Sequence, residues 1–232
     1  MGVPIEIVHG IYQKIKKRYG KIYRNRSNFV INSITANENI LILGARESFI
    51  KRIIEHTSNK LTYYLVDKFP SKIEGTDLKF EYADLNERIP YPDNHFDCIV
   101  SDQLIEHLMQ PDTFIKEIKR VGKNDCTTII GSENLAAWHN ILALVLTLHP
   151  FSDHYSANVR IGNLFSIHHK EKIEDPFMRH FKVPTVRALK ELLEYYGFRI
   201  IDFKGFGHLL PFGTLYDKYH SIQFVIVCTN TG

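Results

Sequence analysis

The sequence lacks the long apolar run and the low-complexity linkers that mark several classes of protein. No run approaches the roughly 20 apolar residues that a membrane-spanning helix requires, and the longest, ILALVLTL at 141–148, predicts a buried helix. The amino terminus lacks the basic start and long apolar stretch of a secretory signal, so we expect a cytoplasmic protein with no membrane span. No internal repeat and no Gly/Ser-rich segment divides the 232 residues, which favours one domain over 1–232.

Cysteine is also scarce, with only Cys98, Cys126 and Cys228. The count is odd, the three are far apart, and each lies in an apolar, strand-like run. This pattern suggests neither a disulfide framework nor a CxxC metal site. Buried free thiols are the expected outcome.

Acidic residues are missing from the segment between Lys14 and Arg26, which carries seven basic residues. The remaining 22 Lys and Arg face 26 Asp and Glu, so the rest of the chain is slightly acidic. We predict a basic helical segment over 1–36. A solvated flank is the favoured interpretation because no broader basic face is visible, and a phosphate-bearing partner such as RNA is the alternative.

Apolar runs with strand character alternate with stretches of helical spacing along the chain. The strand-like runs cover 39–43, 61–66, 78–83, 96–101, 126–132, 198–205 and 221–229, and helical patterns cover 47–56, 111–122 and 185–197. Such alternation predicts an α/β fold with a parallel sheet covered on both faces.

The alternation breaks between 149 and 182, where a polar, His-rich stretch shows no clear periodicity. So long an irregular connection is usually functional or disordered, and we predict a lid-like insertion over an active site. His is the commonest general base, so we expect His154 and His168 to bind an acceptor or remove its proton; surface histidines are the alternative. Without HxH or HExxH spacing in the sequence, no metal site is expected.

Polar residues follow the strands at the edge where open α/β sheets bind ligands. Gly44 ends the first strand, but Arg46 and Ser48 stand where a nucleotide-binding turn carries further glycines. Asp67 ends the second strand, 23 residues beyond Gly44, and is placed to accept hydrogen bonds from ribose hydroxyls. Asp84, after the third strand, would meet a nucleobase or simply form a turn.

Together, the stretches ILILGARES, YYLVDKFP and IPYPDNHFDCIVSDQLIEHL resemble the class I, Rossmann-like S-adenosylmethionine-dependent methyltransferases. In particular, the sequence resembles the small-molecule (type 11-like) group, over 38–132 and again near the carboxyl terminus. The resemblance implies a doubly wound, mostly parallel seven-stranded sheet with helices on both faces and a lid-like insertion.

The same resemblance implies site residues. Arg46 would hold the carboxylate of the cofactor's methionine end, since guanidinium pairs well with carboxylates. Glu106 and His107 match the family's "EH", and Asn134 and Trp138 would shape the acceptor pocket. The implied cofactor contacts are Gly44, Ala45 and Arg46 in the turn, Asp67 and Lys68 at the ribose, Asp84 and Leu85 at the adenine, and Ser101 and Gln103 near the methyl group.

The implied activity is methyl transfer from S-adenosylmethionine, leaving S-adenosylhomocysteine. The acceptor would be a small molecule or a glycan- or lipid-linked group, and the sequence leaves the oligomeric state open. Two alternatives remain. One is an RNA methyltransferase using the basic helix, and the other is a non-catalytic scaffold, which the lost glycines favour.

Overall fold

The computed structural model describes residues 5–36, 38–57, 61–69, 78–175, 179–207 and 219–231. Within its first helix, side chains are described at 17, at 18 and from 20 onward. Among the helices so described, none combines the length and apolarity needed to cross a membrane.

Seven strands form one sheet in the order β3-β2-β1-β4-β5-β7-β6. β7 runs antiparallel to β5 and β6, and the other pairings are parallel. The predicted mostly parallel seven-stranded sheet is therefore confirmed. The strands are β1 Asn39–Leu43, β2 Thr62–Asp67, β3 Leu78–Tyr82, β4 Phe96–Asp102, β5 Gly122–Glu133, β6 Phe198–Phe206 and β7 Gln223–Asn230.

Helices cover both faces of this sheet, as predicted. The helices are α1 Ile5–Asn32, α2 Glu47–His56, α3 Pro111–Val121, α4 Trp138–Val145 and α5 Val186–Tyr195, with one 3-10 turn at Ile105–His107. Apolar side chains of α1 and α2 pack in one core, and those of α3 and α5 pack in a second core on the opposite face. Burying apolar surface on both faces drives this layered arrangement.

The prediction of a buried helix at 141–148 is wrong. α4 ends at Val145, and it buries only the side that carries Asn140 and Ala143. Leu144 is 55% exposed and Val145 is 72% exposed. An apolar run without helical periodicity does not say which side is covered, and here much of it faces outward.

The cysteines have the surroundings that the sequence predicts. All three cysteines are buried free thiols, as expected, and burial raises the pKa of Cys126 to about 12. In the described part of the insertion, 149–175 and 179–182, the backbone forms no helix, and its one β-bridge joins Val159 to Lys172.

Candidate functional site

The candidate site lies at the carboxyl ends of the parallel strands. β1 lies between β2 and β4, so the chain leaves β1 and β4 in opposite directions across the sheet. Open α/β sheets bind their ligands in the crevice that this divergence creates. The segments after β1, β2, β4 and β5 therefore define the site.

The turn after β1 depends on its single glycine. Gly44 has φ of +61°, and a Cβ added there would lie 2.6 Å from Cδ1 of Leu104. Both the left-handed backbone and the close approach of Leu104 require glycine at this position. Ser48, where a further glycine was expected, lies in the first turn of α2, so the helix begins immediately after Arg46.

A cavity of about 150 Å³ opens between this turn and the end of β2. Ala45, Arg46 and Asp67 contribute to its lining, and their role as cofactor contacts stays a prediction. Burial raises the pKa of Asp67, although the backbone N–H of Phe69 donates to this carboxylate at 3.1 Å. Drug-sized ligand pockets measure about 300–1,000 Å³, so this cavity could hold only part of a nucleoside-sized ligand without opening.

Lys68, Asp84 and Leu85 lie at the same edge but already have partners. Lys68 Nζ is 3.1 Å from Asp84 Oδ2, and the backbone N–H of Asn86 donates to Asp84 Oδ1 at 2.9 Å. That backbone bond is the main cause of the lowered pKa of Asp84. Leu85 is buried in the core. Asp84 thus forms the turn that the sequence left as an alternative.

The end of β4 is polar and buried. The guanidinium of Arg26, from α1, lies 3.0 Å from Asp102 Oδ2, with both side chains 4% exposed. Gln103 has φ of +61° and its Oε1 accepts a hydrogen bond from Gln223 at 3.0 Å. Ser101 Oγ, Asp102 Oδ1 and Gln103 Nε2 are buried without a hydrogen-bond partner among the residues that the structure describes. Such atoms call for an explanation, and a bound ligand is one.

Glu106 anchors the adjacent 3-10 turn. Its side chain is fully buried, and it accepts hydrogen bonds from the Ser132 hydroxyl at 3.0 Å and the Glu133 backbone N–H at 3.3 Å. Burial raises the pKa of Glu106 to about 7. The Glu106 carbonyl also accepts the N–H of Phe181 at 2.8 Å, which fixes the end of the insertion against β4 and β5.

Three histidines gather beside Glu106. The rings of His107 and His180 lie 4.8 Å apart, and His154 stacks on His180 at 5.1 Å. Burial is the main cause that lowers the pKa values of His107 and His154 to about 4, and the neighbouring His180 is the second. The charge of Arg46 also contributes to the lowered pKa of His107.

The two predicted catalytic histidines have different surroundings. His154 belongs to the cluster, where its Nδ1 accepts the backbone N–H of His180 at 3.2 Å. His168 is exposed and its Nδ1 lies 2.7 Å from Glu171, so the structure does not bring it together with His154. Both assignments stay predictions.

Asn134 and Trp138 meet the segment that leads into β7. The Asn134 amide donates to the carbonyls of Tyr219 and Ser221, both at 2.8 Å. The Trp138 ring lies 4.4 Å from the ring of His220. Asn134 therefore holds the entry of β7 in place.

Sequence reasoning missed the positions of Arg26 and His180. The sequence places Arg26 in a basic helix and His180 among several histidines of the insertion, and it predicts no contact for either side chain. Their partners are far away in the chain, so no local spacing indicates these contacts.

Comparisons with known proteins agree with the fold. Residues 47–130 match a family described as "Methyltransferase domain". A search of curated proteins finds no match. A chain from a complex between the Haloferax volcanii Trm112 methyltransferase activator and a methyltransferase superposes with a TM-score of 0.61 at 13% identity, covering 94% of this chain and 95% of that chain.

Two further solved structures are similar at the same level. A Burkholderia thailandensis 1,6-didemethyltoxoflavin-N1-methyltransferase, with 1,6-didemethyltoxoflavin and S-adenosylhomocysteine bound, gives a TM-score of 0.57 at 14% identity, covering 100% of this chain and 92% of that chain. An Aquifex aeolicus SAM-dependent methyltransferase gives 0.53 at 16% identity, covering 88% of each. Residues 47–130 thus match a methyltransferase domain family, and the chain shares its fold with solved S-adenosylmethionine-dependent methyltransferases.

Proposed function

We propose that this protein transfers a methyl group from S-adenosylmethionine to a polar small molecule or a glycan- or lipid-linked acceptor. The observation that carries the proposal is the cavity beside Gly44, which both Arg46 and the partly buried Asp67 line. S-adenosylmethionine needs a cation to pair with its methionine carboxylate and a hydrogen-bond acceptor for its ribose hydroxyls, and these two side chains supply them.

The cofactor would lie along the carboxyl edge with its methionine end at the β1 turn. Arg46 would pair with the methionine carboxylate and Asp67 with the ribose. The unpartnered polar atoms of Ser101 and Gln103 would then face the region of the sulfonium. Asp84 and Leu85 would form the adenine side only after their present contacts adjust.

The reaction asks mainly for alignment. A lone pair of the acceptor's oxygen or nitrogen forms the bond to the methyl carbon. The carbon–sulfur bond breaks with its electron pair left on sulfur, and the acceptor's proton leaves to solvent or to a base. The cluster beside Glu106 supports a polar acceptor. His154 would bind that acceptor through Nε2–H, because its Nδ1 already accepts a backbone N–H. The role proposed for His168 requires movement of the insertion.

The test is calorimetric titration of S-adenosylmethionine and S-adenosylhomocysteine into the wild-type protein and Asp67→Ala. We expect micromolar binding to the wild type and at least a tenfold loss in the variant, since a charge-assisted hydrogen bond contributes about 1.5–3 kcal/mol. Asp202→Ala, on the exposed edge strand β6, is the matched control and should bind as the wild type does.

No heat with either ligand would overturn the proposal and favour a non-catalytic scaffold. The RNA alternative has support from α1, where Lys17, Lys21 and Arg24 are exposed. It predicts salt-sensitive RNA binding that is lost when these three residues are neutralised. If RNA does not bind at low salt, that alternative is wrong.

A further inference from the structure

Three side chains with metal-binding atoms converge where β4 ends and the insertion returns to the sheet. Glu106, His107 and His180 each offer one ligand atom, and these three atoms lie within 4.8 Å of one another. The first two belong to the 3-10 turn, and the third comes from the far end of the insertion. The cofactor contacts proposed above use none of the three.

The hydrogen bonds of the two histidines fix which nitrogen is free. His107 Nδ1 lies 2.7 Å from the carbonyl of Arg179, and His180 Nδ1 lies 2.6 Å from the carbonyl of Ser152. A carbonyl oxygen can only accept, so each Nδ1 carries the proton. In the neutral ring, Nε2 then holds an available lone pair. Metal-binding histidines almost always have this arrangement, with the second nitrogen donating to a carbonyl or carboxylate.

The carboxylate is oriented in the same manner. Ser132 and the backbone of Glu133 each donate to one oxygen of Glu106, which leaves further lone pairs on both oxygens. The side chain is fully buried, so an anionic carboxylate here requires a compensating positive group. A cation held between Glu106 and the imidazoles would supply it.

We propose that Glu106, His107 and His180 bind a divalent first-row transition-metal ion, of which Zn²⁺ is the representative. Two imidazole nitrogens and one carboxylate oxygen are a donor set for such ions rather than for Mg²⁺ or Ca²⁺, which prefer oxygen alone. Three protein ligands leave a position for water or substrate. The role of the ion rests on the proposed function: it would bind the oxygen of the methyl acceptor and ease the loss of that oxygen's proton.

Binding would draw the three side chains closer together. Metal bonds of about 2.0–2.2 Å place tetrahedral ligand atoms roughly 3.4 Å apart, so donors that lie within 4.8 Å of one another must approach by at most about 1.4 Å. Small side-chain shifts would achieve this, because the Phe181 N–H already holds the end of the insertion against the Glu106 carbonyl. The ion would therefore join the insertion to β4 as well as serve the reaction.

The test is a titration of the whole chain, first stripped with a chelator, with Zn²⁺ by calorimetry and with Co²⁺ by visible absorption. We expect one equivalent bound and a Co²⁺ spectrum typical of nitrogen and oxygen ligands. His180→Ala should weaken Zn²⁺ binding at least tenfold. Glu106→Gln should also weaken it at least tenfold, although glutamine keeps the size and polarity of the buried side chain. His56→Ala removes an exposed histidine on α2 and is the matched control, with unchanged affinity.

Circular dichroism and S-adenosylmethionine binding of each variant separate misfolding from ligand loss. No saturable Zn²⁺ binding, or equal binding by the wild type and His180→Ala, would overturn the metal site while the cofactor titration still stood. Conversely, Zn²⁺ binding without any S-adenosylmethionine binding would overturn the proposed function and leave the metal site in place.

Discussion

At the scale of single residues, Gly44 is the sharpest test of the first turn. Gly44→Ala places a side chain at φ +61° and within 2.6 Å of Leu104. The left-handed backbone and the overpacking should together lower the free energy of unfolding by roughly 2–4 kcal/mol. Urea unfolding followed by circular dichroism measures this loss.

Gly20→Ala is the matched control for that experiment. Gly20 lies in α1, and an added Cβ there meets nothing within 4 Å. This substitution should raise stability by about 0.5–1 kcal/mol, because alanine favours the helix. If both variants lose stability equally, the strained turn is not the reason that Gly44 is needed.

The buried pair of Arg26 and Asp102 is a second feature of this scale. Arg26→Met leaves the Asp102 carboxylate buried without its cation, which should cost about 3–5 kcal/mol of unfolding free energy. The double variant Arg26→Met with Asp102→Asn should recover much of that loss, because no uncompensated charge remains. Arg24→Met, at an exposed position of the same helix, should change stability little. A double variant no more stable than Arg26→Met would contradict a charge-based cause.

At the scale of elements, α4 shows whether its outward-facing apolar side chains contribute to the free energy of unfolding. Leu144→Ser removes a side chain that is 55% exposed, so we expect a change within about 0.5 kcal/mol. Leu189→Ala, on α5, removes one that is 1% exposed and should cost about 2–5 kcal/mol. Chemical unfolding of the two variants side by side measures the difference, and a large loss for Leu144→Ser would mean that this side of α4 is covered in solution.

The elements also show what sequence reasoning can reach. The central strands were predictable because they are short apolar runs, and the edge strand β3 was predictable because apolar and polar residues alternate along it. The position of Asp67 was predictable because it ends such an apolar run. Asp84 could not be decided in advance, since a turn and a nucleobase contact require the same residue there. The meeting of His107 with His180 and of Arg26 with Asp102 depends on tertiary packing, which leaves no periodic trace in the sequence.

At the scale of the whole molecule, partly buried histidines should contribute to the response to acid. Burial lowers the pKa of His139 to about 4, whereas an unfolded histidine titrates near 6.5. Between these values the unfolded chain binds more protons than the folded one, so acid shifts the equilibrium toward unfolding. His107 and His154 act in the same direction. Glu106, whose pKa is raised to about 7, acts in the opposite one.

His139→Gln isolates one of these contributions. Glutamine does not titrate, so the variant should lose less stability than the wild type as the pH falls from 6.5 to 4. For this imidazole the difference should reach at most about 3 kcal/mol at pH 4. Above pH 7 the imidazole is neutral in both states, and the offset between variant and wild type there reports packing alone. Urea unfolding at pH 8, 6, 5 and 4 measures both quantities. If the free energy of unfolding changes with pH in the same way for variant and wild type, His139 gains its proton equally in the folded and unfolded chain. Burial would then not control the charge of His139.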